Sequence, residues 1–135
     1  MGAREEGLRH EELTGAIAGA FFEVYNELGF GLFESAYAAA LEIVLRGRGH
    51  RVRREVAVTI VFRGVPIARQ KLDMVVDECV VVEIKSTMIL PPSSRRQLLS
   101  YLKSTRLEVG LLLHFGPEPR FHRIISSNAP GSNRP

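Results

Sequence analysis

Between residues 46 and 56 the spacing of apolar side chains changes from a helical period to strict alternation, so neither an all-helical nor an all-strand fold accommodates the chain. Upstream, Leu13, Ile17, Ala20, Phe21, Val24 and Leu28 form one apolar stripe and predict a helix over residues 11–28, stopped by Gly29. After the turn "GFG", Phe33, Ala36, Tyr37, Ala40, Leu41, Val44 and Leu45 predict a second helix over residues 33–46, ended by Gly47 and Gly49. Downstream, Val56, Val58, Ile60 and Phe62 alternate with Glu55, Ala57, Thr59 and Val61, which is the period of a strand. Arg63-Gly64 is a turn signal, residues 65–76 read as a second strand, and Pro66 near its start suggests an edge or an entry point. Asp77-Glu78 turns the chain into a third strand over residues 79–86, "CVVVEIKS".

Pro91-Pro92 breaks the pattern, and Ser93 or Ser94 can cap a third helix running to about residue 105. Residues 109–115, "VGLLLHF", are continuously apolar, as in a strand buried on both faces, and residues 121–125 add a last strand. The first three strands should form an antiparallel meander. The third helix should then cross over, right-handed, to lay "VGLLLHF" parallel to one of them. The expectation is a single α/β domain over residues 1–125, in the order α-α-β-β-β-α-β-β, built on a mixed sheet. A flexible polar tail is expected over residues 126–135.

Composition narrows the function classes. With 45% hydrophobic and 24% charged residues the chain is not disordered, and a net charge of +3 permits nucleic-acid binding without demanding it. Cys79 is the only cysteine, so there is no internal disulfide and no cysteine-rich zinc site; a cytoplasmic protein is expected. No apolar run reaches the length of a membrane span, "MGAREEGLRHEE" lacks the apolar stretch of a signal peptide, and no membrane partner is expected.

Glu83 and Lys85, two residues apart in the third strand, must point to the same face. A three-residue turn at 77–79 would set Asp73 directly opposite Glu83. Facing carboxylates repel unless a cation lies between them, and a hard divalent ion is held by one or two carboxylates with water and phosphate. Lys85 could then steady charge on an attacked phosphate. The same spacing also fits a rim ion pair of Glu83 and Lys85 beside a solvated Asp73. Glu34 and Tyr37 share a helix face, as do Gln97 and Tyr101. Both tyrosines also suit core packing with a tethered hydroxyl.

The motifs "GLFESAY", "LDMVVDECVVVEIKS", "QLLSYLKSTRLEVGLLLHFG" and "RII" occur in an order that resembles the GxxExxY proteins, over about residues 13–125. That family is placed in the PD-(D/E)XK nuclease superfamily, whose restriction-endonuclease-like core runs helix, three strands, helix, strand. The resemblance implies that Asp73 is the first metal-binding acid and that Glu83, Ile84 and Lys85 form the E-x-K element. Glu34 would be the helical acid near the metal and the Ile84 carbonyl a further ligand. Gln97 and Tyr101 match the Q-x-x-x-Y element of RecB-like exonucleases. Where the pattern leads one to expect His-Glu before the glutamine and Asn before the tyrosine, this chain has Ser94-Arg95 and Ser100.

The basic residues Arg51, Arg53, Arg54, Arg95, Arg96 and Lys103 could together contact phosphates without reading sequence, though each alone suits a solvated surface. The four histidines show no metal-ligand spacing and suit hydrogen-bonded surface positions, and Cys79 has no histidine near it in sequence. The expected function is a Mg²⁺-dependent (or Mn²⁺-dependent) nuclease acting on nucleic acid, DNA before RNA. The alternative is an inactive nuclease-fold module that binds nucleic acid or a protein partner, and a homodimer is open to either.

Overall fold

The computed structural model describes residues 3–126. Its elements are α1 (Ala3–Leu28), α2 (Glu34–Gly47), β1 (Val52–Phe62), β2 (Val65–Val76), β3 (Val80–Lys85), α3 (Ser94–Lys103), β4 (Val109–Phe115) and β5 (Pro119–Ile125). The order is the expected one. The first helix starts earlier than its apolar stripe, at Ala3, and β1 starts at Val52 instead of near residue 55. Residues 127–135 lie outside the described residues. Ser126, placed in the tail by sequence, is buried and donates its N–H to Glu108 O at 2.7 Å, so this residue packs with the domain.

The sheet has five strands in the order β1-β2-β3-β4-β5. Only β3 and β4 run parallel, from Val80 opposite Val109 to Lys85 opposite His114, and α3 makes the crossover between them. All of β4 is buried, as its unbroken apolar run requires. One face of the sheet packs on α1 and α2 through Val80, Val82 and Ile84; the other packs on α3 through Val81, Leu98 and Leu102. Helix α3 lies so close to β4 that a Cβ on Gly110 would meet Leu98 Cδ1 at 2.9 Å. Ser93 takes the N-cap position, but its backbone is already helical (φ −78°, ψ −7°) and its hydroxyl makes no capping bond.

Strands β1 and β2 change faces part-way along. Val52, Met74 and Val76 join the core under α1 and α2, whereas Val56, Val58 and Leu72 pack toward α3. The reversal falls at Glu55 and Asp73, which lie between the paired residues Arg54/Met74 and Val56/Leu72. Glu55 has φ 53°, a left-handed conformation that costs a non-glycine residue about 1 kcal/mol. From there β2 parts from β3, with which it pairs only from Val76↔Val80 to Met74↔Val82. The remainder is a two-stranded ribbon leaving the sheet, tied back to α3 by Gln70. That side chain donates to Ser100 Oγ at 3.1 Å and accepts from Ser104 Oγ at 3.0 Å. The ribbon ends at Arg63-Gly64, both with positive φ as a tight hairpin demands, and Pro66 sits opposite Val61 where the register slips. No helix among the described residues is long and apolar enough to cross a membrane.

Candidate active site

The turn between β2 and β3 holds three residues, since Val76 pairs with Val80, and the register carries Asp73 to the place opposite Glu83. That next rung of the ladder is not made. Ile84 N instead donates to Asp73 Oδ2 at 2.8 Å, so the aspartate side chain occupies the point where the strands separate. Strand alternation puts Val81, Glu83 and Lys85 on the α3 side. Glu83 is 4% exposed and its Oε2 has no hydrogen-bond partner. Burial pushes its carboxyl up to about 9, and proton sharing with Asp73 and the charges of Asp73 and Glu34 add to the rise against the pull of Lys85. Lys85 Nζ donates to Gln97 Oε1 at 3.1 Å. Burial also raises the Tyr101 phenol, and the charges of Glu83 and Asp73 raise it further, while a hydrogen bond with Gln97 opposes them. Asp73, Glu83, Lys85, Gln97 and Tyr101 therefore meet at one place.

Glu34 reaches this neighbourhood from the first residue of α2. The loop before it is clamped by Tyr37, whose hydroxyl donates to Gly29 O at 2.6 Å and accepts from Leu32 N at 3.2 Å. The Tyr37 ring is fully buried and stacks on Phe115 at 3.9 Å between centroids, so this tyrosine holds the loop and does not enter the site. Ser86, just past β3, donates its hydroxyl to Leu32 O at 2.6 Å and its N–H to Glu34 Oε2 at 3.4 Å. Glu34 thus answers the end of β3, and no three acidic, histidine or cysteine side chains stand at metal-binding distances among the described residues.

A cavity of about 200 Å³ is lined by Glu34, Ser35, Arg54, Glu55, Lys71, Asp73 and Ile84 among others; Glu83 is not in its lining. At about 30 Å³ per water it has room for a hydrated cation. A hard divalent ion needs one or two carboxylates and otherwise accepts water. Buried Glu83, one of whose oxygens has no partner, and half-buried Asp73 beside it fit Mg²⁺ or Mn²⁺ on that count.

Two residues of this region escaped the sequence reading. Lys71 lines the cavity and stands 3.5 Å from Glu55, with both side chains 66% exposed. Its signal was available, because it lies two residues before Asp73 in the same strand. Glu55 gave none, since nothing in an alternating pattern announces a left-handed residue.

The six basic residues do not form one surface. Arg51 and Arg53 lie at the far end of β3, where Arg51 N donates to Asp77 Oδ1 at 2.7 Å and Arg53 pairs with Glu78 at 2.6 Å. The length of β3, roughly 17 Å at 3.3 Å per residue, separates them from Lys85. Arg54 turns inward to Glu42 at 3.2 Å and to the acidic cavity. Arg95 meets His122 at 2.8 Å beside β5, whereas Arg96 and Lys103 line a cleft between α3 and the ribbon. The reason is periodicity: residues 51–54 alternate across a strand end and residues 95 and 96 face opposite flanks of a helix.

Two of the substituted family positions have side-chain partners: Arg95 bonds His122 and Ser100 receives Gln70. Ser94 is buried and its hydroxyl makes no hydrogen bond. One histidine also departs from expectation, since His114 is buried and bonds through Nε2 to Thr87 O at 2.9 Å. A larger cavity, about 600 Å³ and lined by His50, Asp77, Cys79 and Arg106 among others, lies at the opposite end of the sheet and contains none of the converging acids.

Comparison with known proteins bears on the fold and the family. No curated protein matches the chain. The solved structure of SSO0001 superposes with a TM-score of 0.55 at 22% sequence identity, covering 68% of this chain and 49% of that one. The chain therefore spans about half the length of that protein, and the likeness shows a shared fold. The family model of the PD-(D/E)XK nuclease superfamily matches residues 11–124, which include every acid of the site. The chain belongs to the PD-(D/E)XK nuclease superfamily.

Proposed function

We propose that the protein hydrolyses phosphodiester bonds in nucleic acid, DNA before RNA, with Mg²⁺ or Mn²⁺ as cofactor. The observation that carries this reading is buried Glu83 beside half-buried Asp73, its raised carboxyl and unpartnered oxygen lying near Lys85. Asp73, Glu83 and the Ile84 carbonyl would hold the metal, with Glu34 reaching it directly or through water. The bound cation supplies Lewis acidity for the phosphoryl oxygen and a more acidic water. Lys85 orients the attacking water and meets the negative charge that develops on the phosphate. Gln97 fixes the Lys85 ammonium through its 3.1 Å bond, and Tyr101 positions Gln97 and the substrate backbone.

The test is cleavage of single- and double-stranded DNA, and of RNA, with and without Mg²⁺ or Mn²⁺, by wild type, Glu83→Ala and Lys85→Ala. Metal-dependent cleavage lost in both variants supports the reading; equal degradation by all three proteins sinks it.

A second reading, a module that binds nucleic acid or a protein partner without catalysis, draws on one observation. Glu34 Oε2 faces Ser86 N and does not complete a three-acid cluster. Calorimetric titration with Mn²⁺ separates the two readings, since only the catalytic one requires binding that disappears in Asp73→Asn.

A further inference from the structure

The ribbon of β1 and β2 leans over α3 without closing on it. The cleft between them has a volume of about 500 Å³ and is lined by Ile60, Arg96, Leu99, Ser100, Lys103 and Ser104. No acid is in that lining, and neither Arg96 nor Lys103 pairs with a carboxylate among the described residues. The two cations are seven residues apart on one helix, about 10 Å along its axis, which is longer than one nucleotide step. Ile60 and Leu99 are half-buried and give the cleft an apolar floor between its charges. Gln97 and Tyr101, which face Lys85 and Glu83, are interleaved with the cleft residues on α3. The bond that Gln70 donates to Ser100 and the one it accepts from Ser104 fix the spacing of its walls. Over residues 56–72 the ribbon carries Arg63, Arg69 and Lys71 and no acidic residue.

We propose that this cleft is the track along which a single strand of nucleic acid runs into the site. The inference rests on the phosphodiester reading above and names the form of its substrate. Phosphates meet Arg96 and Lys103, while unstacked bases lie on Ile60 and Leu99. A basic groove that tracks the backbone gives single strands sequence-neutral affinity, and here aliphatic side chains take the place of the aromatic platforms on which bases more often rest. A duplex keeps its bases stacked inside and would leave the apolar floor uncovered.

The experiment measures binding of a fluorescent oligothymidylate by anisotropy, in chelator so that no cleavage occurs, across a salt series. Wild type is compared with Arg96→Ala/Lys103→Ala, with Arg96→Lys/Lys103→Arg, and with Arg120→Ala on β5 as the surface control. The alanine pair should bind at least 10-fold more weakly. Its plot of log affinity against log salt should be shallower by about 1.4, two contacts at about 0.7 each. The charge-keeping pair and the control should match wild type, and a duplex of equal length should bind less tightly than the single strand. Unchanged affinity and slope in the alanine pair, or a preference for duplex, overturns the proposal. Cleavage assays run in parallel separate the two ideas. A shallower slope in a protein that never cleaves upholds the cleft against the hydrolytic reading, and metal-dependent cleavage with an unchanged slope refutes the cleft alone.

Discussion

Ile84 donates its backbone N–H to the Asp73 carboxylate at 2.8 Å, in the position where β2 would otherwise supply the next carbonyl of the ladder. The aspartate thus ends one strand pair and lies beside Glu83 at once. Asp73→Asn keeps an oxygen that can accept from Ile84, whereas Asp73→Ala leaves that N–H without its partner. In urea unfolding without divalent metal, Asp73→Ala should therefore lose about 1–3 kcal/mol. The asparagine variant should lose less, because its amide oxygen can still accept from Ile84. Equal losses would mean that the hydrogen bond contributes nothing distinct.

Glu83 gives the apoprotein a pH dependence of definite sign. Its carboxyl moves from the ordinary 4.5 to about 9 on folding, chiefly by burial, so the folded state keeps a proton that the unfolded state releases. The stability it contributes is fully present below about pH 4.5 and is lost as pH rises through about 9. In chelator the melting temperature should fall across that window, and Glu83→Gln should flatten this part of the slope. Added Mg²⁺ or Mn²⁺ should stabilise wild type more at the alkaline end, where no proton competes. A melting temperature that rises with pH over this range in wild type but not in Glu83→Gln would contradict the assignment.

Much of this was legible because periodicity reports burial. Val109–Phe115 is continuously apolar and is buried throughout, and the spacing from Asp73 to Glu83 around a three-residue turn fixed their meeting. The face reversal at Glu55 was not legible, since a left-handed glutamate leaves no mark in an alternating pattern. Nor was the scattering of the basic residues. Charge density along a sequence carries no direction, and a helix or strand sends adjacent residues to different sides. Arg53 and Arg54 show this directly, one paired with Glu78 at the far end and the other turned to Glu42 and the acidic cavity.

Tyr37 links core to site through its hydroxyl alone. Tyr37→Phe keeps the ring stacked on Phe115 but removes the bonds to Gly29 O and Leu32 N. A loss of about 1–3 kcal/mol is expected from two bonds at about 0.5–1.5 kcal/mol each. Hydrogen exchange should rise in residues 29–34 more than in β4, since it is the loop leading to Glu34 that is released. Protection unchanged in that loop would show that Ser86 alone holds it.

Lys85 and Gln97 should differ in degree. Under the hydrolytic reading, Lys85→Ala removes charge stabilisation at the phosphate and should lower the cleavage rate by about 10²–10³-fold. Gln97→Ala leaves the ammonium in place but loosens it, and roughly 10–100-fold is expected, seen in kcat with little change in KM. The double variant should be no worse than Lys85→Ala, because Gln97 acts through the lysine; losses that simply add would give Gln97 an independent role.

The close approach of α3 to β4 sets where Gln97 and Tyr101 stand. A methyl group on Gly110 would lie 2.9 Å from Leu98 Cδ1 and 3.0 Å from both Cγ and Cδ2, on a side chain with no exposed surface onto which to retreat. Gly110→Ala should therefore push α3 outward and destabilise by about 1–3 kcal/mol, as overpacking does. Leu98→Ala alone should cost about 2–5 kcal/mol by opening a cavity. Combined, the new methyl enters the space that the leucine vacates, so the double variant should be more stable than the sum of the single changes allows. A double-mutant cycle by urea unfolding reads the coupling. Strict additivity would mean that α3 is held at its distance by contacts other than this one. If Gly110→Ala folds, it should also lengthen the Gln97–Lys85 contact and reduce cleavage without touching any residue of the site.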